Sequence, residues 1–203
     1  MNQRGFTLWE LLVAMLVVGI VLGFGVPNFM AFSRNSEMAS AVNALVSTLH
    51  FSRSEAVKRQ VPITLCGTST PLVAAPACDG GSGGFFAFTD LNDTDGDGIP
   101  DGNGAFDGGD QILVQRDRPA AAINTSVAPA TADSVTYQPD GFIDATLNPL
   151  TQVLYCDERG NVAGPGGDSV ARVVLIARTG RPQLRRDTAS VAAAATATGG
   201  TCP

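Results

Sequence analysis

The sequence predicts an α+β protein: one long N-terminal helix, its first half apolar enough to cross a membrane, packed on an antiparallel β-sheet domain. Three observations carry this. An apolar run begins at Phe6 and continues to about Val26, broken only by Thr7, Glu10 and small glycines, and it is long enough to span a hydrocarbon core. The pattern then changes to an amphipathic helical period up to about residue 60. Beyond it come only short β-branched and aromatic runs set between Gly, Asp, Pro and Ser clusters, and one helix followed by many strands is the order of an α+β fold.

Residues 1–5 form a short polar leader that ends at Gly5. Arg4 holds this leader on the cytoplasmic side. A secretory signal peptide fits poorly, because the apolar run is long for a signal core and no small-x-small site precedes a polar mature start. Residues 6–27 are the predicted transmembrane helix. Glu10, an acid near its start, is expensive there and needs a partner. Gly19, Gly23, Gly25 and Pro27 weaken the helix, and a break is expected at Gly19 and Pro27. Residues 28–60 form the amphipathic part. Phe29, Phe32, Ala39, Val42, Leu45, Val46, Leu49, Ala56 and Val57 recur at three- and four-residue steps. The whole helix would be ~80 Å long at 1.5 Å per residue, and its apolar stripe needs a sheet to cover it.

Residues 61–186 make the β-rich globular domain. Strands are expected at Val61–Cys66, where a proline near the start is tolerated, and at Phe85–Thr89 and Gln111–Gln115. Further strands are expected at Val135–Tyr137, Phe142–Ile143, Gln152–Cys156 and Arg172–Ala177, with residues 67–84 and 117–134 as loops. Residues 187–203, rich in Ala, Thr and Gly, are expected to be a flexible tail tethered by Cys202.

The formal net charge of −6 hides an asymmetry. Asp90, Asp93, Asp95, Asp97, Asp101, Asp107 and Asp110 fall in one stretch with no basic residue. The remainder is near neutral, so overall acidity does not exclude an anionic partner at another face. Cys66, Cys78, Cys156 and Cys202 follow the membrane segment, and an even number in an exported domain favours disulfides. Of the three pairings, Cys66–Cys78 is favoured by proximity and Cys156–Cys202 by elimination. The single histidine, His50, lies in the predicted helix, and no nucleophile–base motif is present, so no enzyme activity is expected.

Asp93-Thr94-Asp95-Gly96-Asp97-Gly98-Ile99-Pro100-Asp101 is the most site-like stretch. Carboxylates at alternate positions with glycine at the turns suit calcium. Asp93, Asp95 and Asp97 would give side-chain oxygens and Ile99 its carbonyl. Asp101 would bind directly or through water, and Asp107 or Asp110 would complete the shell. The terminal glutamate of an EF-hand is missing, and the stretch is more similar to the calcium loops of thrombospondin-type repeats. The competing reading is a solvated acidic turn.

The start of the chain, Gly5-Phe6-Thr7-Leu8-Trp9-Glu10-Leu11-Leu12-Val13, resembles the class III leader of type IV pilins and of type II secretion pseudopilins. The resemblance implies cleavage by prepilin peptidase between Gly5 and Phe6 and N-methylation of Phe6. Glu10 would then face the amine of an incoming subunit in a filament core, where each charge offsets the desolvation of the other. The segment up to Pro27 is similar to one that unwinds when related pilins pack. Further on, Leu49-His50-Phe51-Ser52-Arg53-Ser54-Glu55-Ala56-Val57-Lys58-Arg59, Phe88-Thr89-Asp90 leading to Gly109-Asp110-Gln111-Ile112-Leu113, and Gly180-Arg181 resemble the FimT/GspH branch.

That branch implies a minor type IV pilin that enters or primes the pilus; the alternative is a minor pseudopilin of type II secretion. Its location would be the bacterial inner membrane, single-pass with a periplasmic domain, and then the pilus. Its partners would be other pilins, prepilin peptidase and double-stranded DNA. In FimT-like pilins a Gly-Arg-x-Arg element contacts DNA during natural transformation. Here Gly180-Arg181-Pro182-Gln183 is followed by Arg185 and Arg186, so Arg178, Arg181, Arg185 and Arg186 are the candidates. The acidic loop is expected to face away from them.

Overall fold

The computed structural model describes residues 7–80, 84–164, 166–200 and 202. It divides into two compact units, Met1–Glu37 and Met38–Pro203. Helix α1, Leu8–Arg59, runs through both sequences as one element of 52 residues.

In the first unit α1 begins with a capping box. Thr7 is the cap: its Oγ1 accepts from the Glu10 backbone N–H at 3.3 Å. The Glu10 carboxylate accepts in return from the Thr7 backbone N–H and hydroxyl, each at 2.9 Å. The expected break at Gly19 and Pro27 is absent. Pro27 lies inside the helix, and the Asn28 amide donates to the Phe24 carbonyl at 3.1 Å. One proline removes one donor from a ladder that the flanking Val, Leu and Met residues keep. None of the described residues up to Glu37 is buried.

In the second unit α1 buries Met38, Val42, Leu45, Leu49, Ser52 and Ala56, alternating steps of four and three that make one stripe. Eight strands follow, in two antiparallel four-stranded sheets where the sequence suggested one. The first sheet has the order β3 (Gln111–Arg116), β2 (Gly84–Thr89), β1 (Ile63–Thr68), β5 (Ser134–Tyr137). The second has β4 (Asn124–Ala128), β6 (Gln152–Cys156), β7 (Arg172–Ile176), β8 (Pro182–Arg185). Residues of both sheets, among them Ile63, Leu65, Phe85, Tyr155, Val174 and Ile176, share one core with the helix stripe.

Four segments differ from the sequence reading. β4 lies inside the stretch expected to be a loop, and β8, which ends on Arg185, lies in a stretch with no strand signal. The Phe142–Ile143 strand is reduced to a single bridge between Ile143 and Tyr137. Within the segment expected to be a flexible tail, Thr188–Thr198 form helix α2. Asp187 caps it by accepting the Ser190 N–H at 2.7 Å, and Gly199 closes it at φ +61°. Val191 and Ala194 pack with Leu154 and Val173 of the second sheet and with Ala171 just before β7, and Cys202 is bonded to Cys156. An alanine-rich segment has no core of its own, but the sheet supplies one.

Candidate functional site

Gly5 and Phe6, the predicted processing positions, lie outside the described residues. Glu10 is described, and its carboxylate is engaged with Thr7 at the helix start.

The acidic loop joins β2 to β3 and is anchored by Asp90. That residue is fully buried. Its carboxylate accepts from the Asn103 N–H at 2.9 Å, the Gly104 N–H at 2.8 Å and the Thr64 hydroxyl at 2.8 Å. Burial pushes its pKa above the ordinary value, against the pull of those donors. Sequence reasoning counted Asp90 as one charge among seven. Its anchoring role depends on Thr64, a residue on β1 that no local pattern connects to it.

Asp93, Asp95 and Asp97 bring carboxylate oxygens within 4.8 Å of one another. Each also steadies the loop. Asp93 accepts the Gly96 and Gly98 N–H groups, both at 2.7 Å, which hold its carboxyl below the usual range, Gly98 foremost. Asp95 accepts from the Asp97 N–H and Asp97 from the Ile99 N–H. The remaining candidates do not join this group. Asp101 accepts from the Thr94 hydroxyl and N–H, which lower its pKa. Asp107 accepts from the Asn103 amide at 3.0 Å, and Asp110 from the N–H groups of Leu91 and Asp107. These ties hold Asp101, Asp107 and Asp110 within the loop's own hydrogen-bond network.

The arginines lie along the β7–β8 hairpin and are not one cluster. Arg178 and Arg181 sit in the turn beyond Ile176. Gly180, between them, has φ +73°, and a Cβ there would meet the Gly141 carbonyl at 2.5 Å and the Tyr137 ring at 2.9 Å. Glycine is therefore required for the turn to pack. The Gly180 carbonyl accepts from the Tyr137 hydroxyl at 3.3 Å. The next residue, Gln138, donates to the Asp101 carbonyl at 3.0 Å. The acidic loop and this turn both touch the end of β5, through the adjacent residues Gln138 and Tyr137.

Arg185 and Arg186 lie at the other end of the ladder. Arg185 stands opposite Val173, on the face that α2 covers. Arg186, the next residue, reaches Asp168 at 3.8 Å. Gln183 shares the Arg185 face by strand alternation. Arg172, at the start of β7, lies near both Arg186 and Arg159, the latter just past β6.

Cys66 is bonded to Cys78 and Cys156 to Cys202. Among the described residues the acidic group at Asp93, Asp95 and Asp97 is the one set of metal-capable side chains.

A capped apolar helix long enough to span a membrane, continuing into a helix face buried under antiparallel sheets, defines a pilin-type subunit. The sequence comparisons agree at both ends of the chain. The prokaryotic N-terminal methylation motif matches residues 1–26, and the family described as type II transport protein GspH matches residues 41–180. The chain belongs to the GspH family, whose members are structural pilins and pseudopilins that associate with others of their kind in filaments. Two crystal structures of the type IV minor pilin FimU from Pseudomonas aeruginosa are similar in fold. One, in space group P21, is 20% identical with a TM-score of 0.48, covering 78% of this chain and 94% of that one. The other, in space group P65, is 18% identical with a TM-score of 0.44, covering 72% and 91%. No curated protein matches the chain at a significant level.

Proposed function

We propose that this chain is a minor type IV pilin, cut between Gly5 and Phe6, methylated on Phe6 and anchored in the inner membrane until it enters a pilus, where it contacts DNA. The observation that carries the DNA contact is the run of exposed arginines on the β7–β8 hairpin. Arg178, Arg181 and Arg185 form no ion pair among the described residues. Guanidinium forks suit phosphate, and such contacts give little sequence preference and a steep loss of affinity with salt. The rival is a minor pseudopilin of type II secretion, which needs no such surface.

Calcium is the cofactor of this reading. Carboxylate oxygens up to 4.8 Å apart can share an ion at the usual ~2.4 Å. Asp93, Asp95 and Asp97 would hold it, and its charge would reduce the repulsion of phosphates near Arg178 and Arg181.

The test is a gel shift on the full chain in detergent at low salt. The wild type should retard duplex DNA, and the triple variant Arg178→Gln/Arg181→Gln/Arg185→Gln should not. Calcium should raise the affinity of the wild type but not of Asp95→Ala/Asp97→Ala. Equal retardation of wild type and triple variant would remove the DNA contact. Deleting the gene and measuring both DNA uptake and protein secretion separates pilus from secretion filament.

A further inference from the structure

Among the described residues, Arg172 holds the one buried side-chain nitrogen without a hydrogen-bond partner. It opens β7, opposite Tyr155, on the inner face that carries Val174. It is only half-buried, yet its Nε is shut off from solvent and has no hydrogen-bond partner among the described residues. A buried donor left without an acceptor costs free energy.

Its neighbours make this worse. The β7–β8 register, with Val173 against Arg185, brings Arg186 alongside Arg172 at the next step. Like charges facing each other across a ladder are destabilising. Arg159 adds a third positive charge from beyond β6. Burial first, then the charges of Arg186 and Arg159, pushes the Arg172 guanidinium below the usual arginine value. The nearby acids are already used: Asp157 takes the Arg159 Nε at 2.8 Å, and Asp168 is 3.8 Å from Arg186. Neither reaches Arg172. What the arrangement lacks is an acceptor with negative charge that serves Arg172.

We infer that Arg172 and Arg186, with Arg159 behind them, form an oxyanion site for a phosphate group. A phosphate has the charge to relieve two adjacent cations and oxygens enough to accept from two guanidinium forks. The site stands ~13 Å, four residues at about 3.3 Å each, from the Ile176 end of the ladder, beyond which the Arg178–Arg181 turn lies. The phosphate is either a free ion or a diester of the DNA backbone. The inference rests on the proposed DNA contact only for the second source.

The test uses the full chain in detergent, labelled at its arginines, titrated with inorganic phosphate against sodium chloride at matched ionic strength. Phosphate should move the Arg172 Nε–H resonance and raise the melting temperature, while chloride should do neither. Arg172→Gln should lose the rise in melting temperature. Arg186 is exposed, so Arg186→Gln should fold normally and bind phosphate about tenfold more weakly. Arg116→Gln, an exposed arginine on β3, should behave as wild type. In phosphate-free buffer Arg172→Gln should melt no lower than wild type, because it removes an unpaired, repelled charge. No phosphate-specific shift at Arg172, or a phosphate response that survives Arg172→Gln, overturns the site. A short duplex oligonucleotide then distinguishes the sources. A matching shift at Arg172 supports a backbone diester. Binding of phosphate without any binding of duplex leaves the oxyanion site standing and removes the DNA reading. Duplex binding that Arg172→Gln leaves intact, with no phosphate shift, removes the site and keeps the DNA reading.

Discussion

The two parts of α1 have the same backbone and opposite surroundings. From Leu8 to Glu37 the apolar residues lie on every side and stay open, with Leu8 79% and Phe24 74% exposed. From Met38 to Arg59 one apolar stripe is buried, with Met38, Val42 and Leu49 fully covered and only Phe51 and Val57 among the large apolar side chains left exposed. A helix that is apolar all round has to be covered by something other than its own domain, either lipid or other helices. A one-sided helix can be covered by its own sheet. One helix thus carries an association segment and a folding segment, and a substitution should affect one property or the other.

Glu10→Gln should have the largest effect. Glutamine also serves at this position of a capping box, so the helix start survives and only the charge is lost. We expect normal cleavage and near-complete loss of incorporation into filaments, read by comparing membrane and sheared-pilus fractions. Normal incorporation would separate assembly from this carboxylate.

Leu49→Ala and Leu16→Ala test the comparison within one helix. Leu49 is fully buried and Leu16 is 63% exposed. The first should cost about 2–5 kcal/mol in chemical denaturation of the detergent-solubilised chain, and the second nothing measurable there. A stability loss for Leu16→Ala would show that its segment is covered by the domain.

Cys202→Ser extends the comparison to α2, a helix that depends on the face it covers. The Cys156–Cys202 bond closes a loop of sequence separation 46, and chain-entropy arithmetic gives about 4 kcal/mol for its loss. Amide exchange at Val191 and Ala194 should speed up before that of the β6 core. Uniform acceleration would mean that α2 and its sheet unfold as one.

Glycines sharpen the contrast at smaller cost. Gly180→Ala meets backbone and ring atoms at a positive φ and should cost about 1–3 kcal/mol. Gly19→Ala meets nothing within 4 Å and should raise the stability of its helix by about 1 kcal/mol. Both are read by thermal melting in detergent.

The smallest effect concerns pH. Asp90 has its folded-state pKa raised by burial, so the fold favours its protonated form. That contribution is present below the unfolded carboxylate value of about 4 and is lost as pH rises through the higher folded value. The stability advantage of wild type over Asp90→Asn should therefore shrink between pH 4 and pH 7. A gap that widens over that range would reverse the sign argument.

What the sequence determined by itself is what depends on neighbours along the chain. The apolar run after Gly5, the change of period near residue 28 and the strands at Phe85–Thr89, Gln111–Gln115, Gln152–Cys156 and Arg172–Ala177 are local patterns of burial. With the leader motif they define the α+β class and the family. Tertiary structure decided what depends on distant partners. The segment after Asp187 is a helix because the second sheet covers Val191 and Ala194. β4 and β8 are strands because β6 and β7 offer open edges to them, although neither has the apolar alternation that marks a strand. The aspartates separate into an anchor, a three-carboxylate group and loop ties, since Thr64 and the loop's own N–H groups reach different members. The arginines separate because strand alternation sends Arg185 and Arg186 to opposite faces, and the unpaired Nε of Arg172 exists only once β6, β7 and β8 lie side by side. Periodicity records which side chains leave water; which polar groups then find one another is settled by packing.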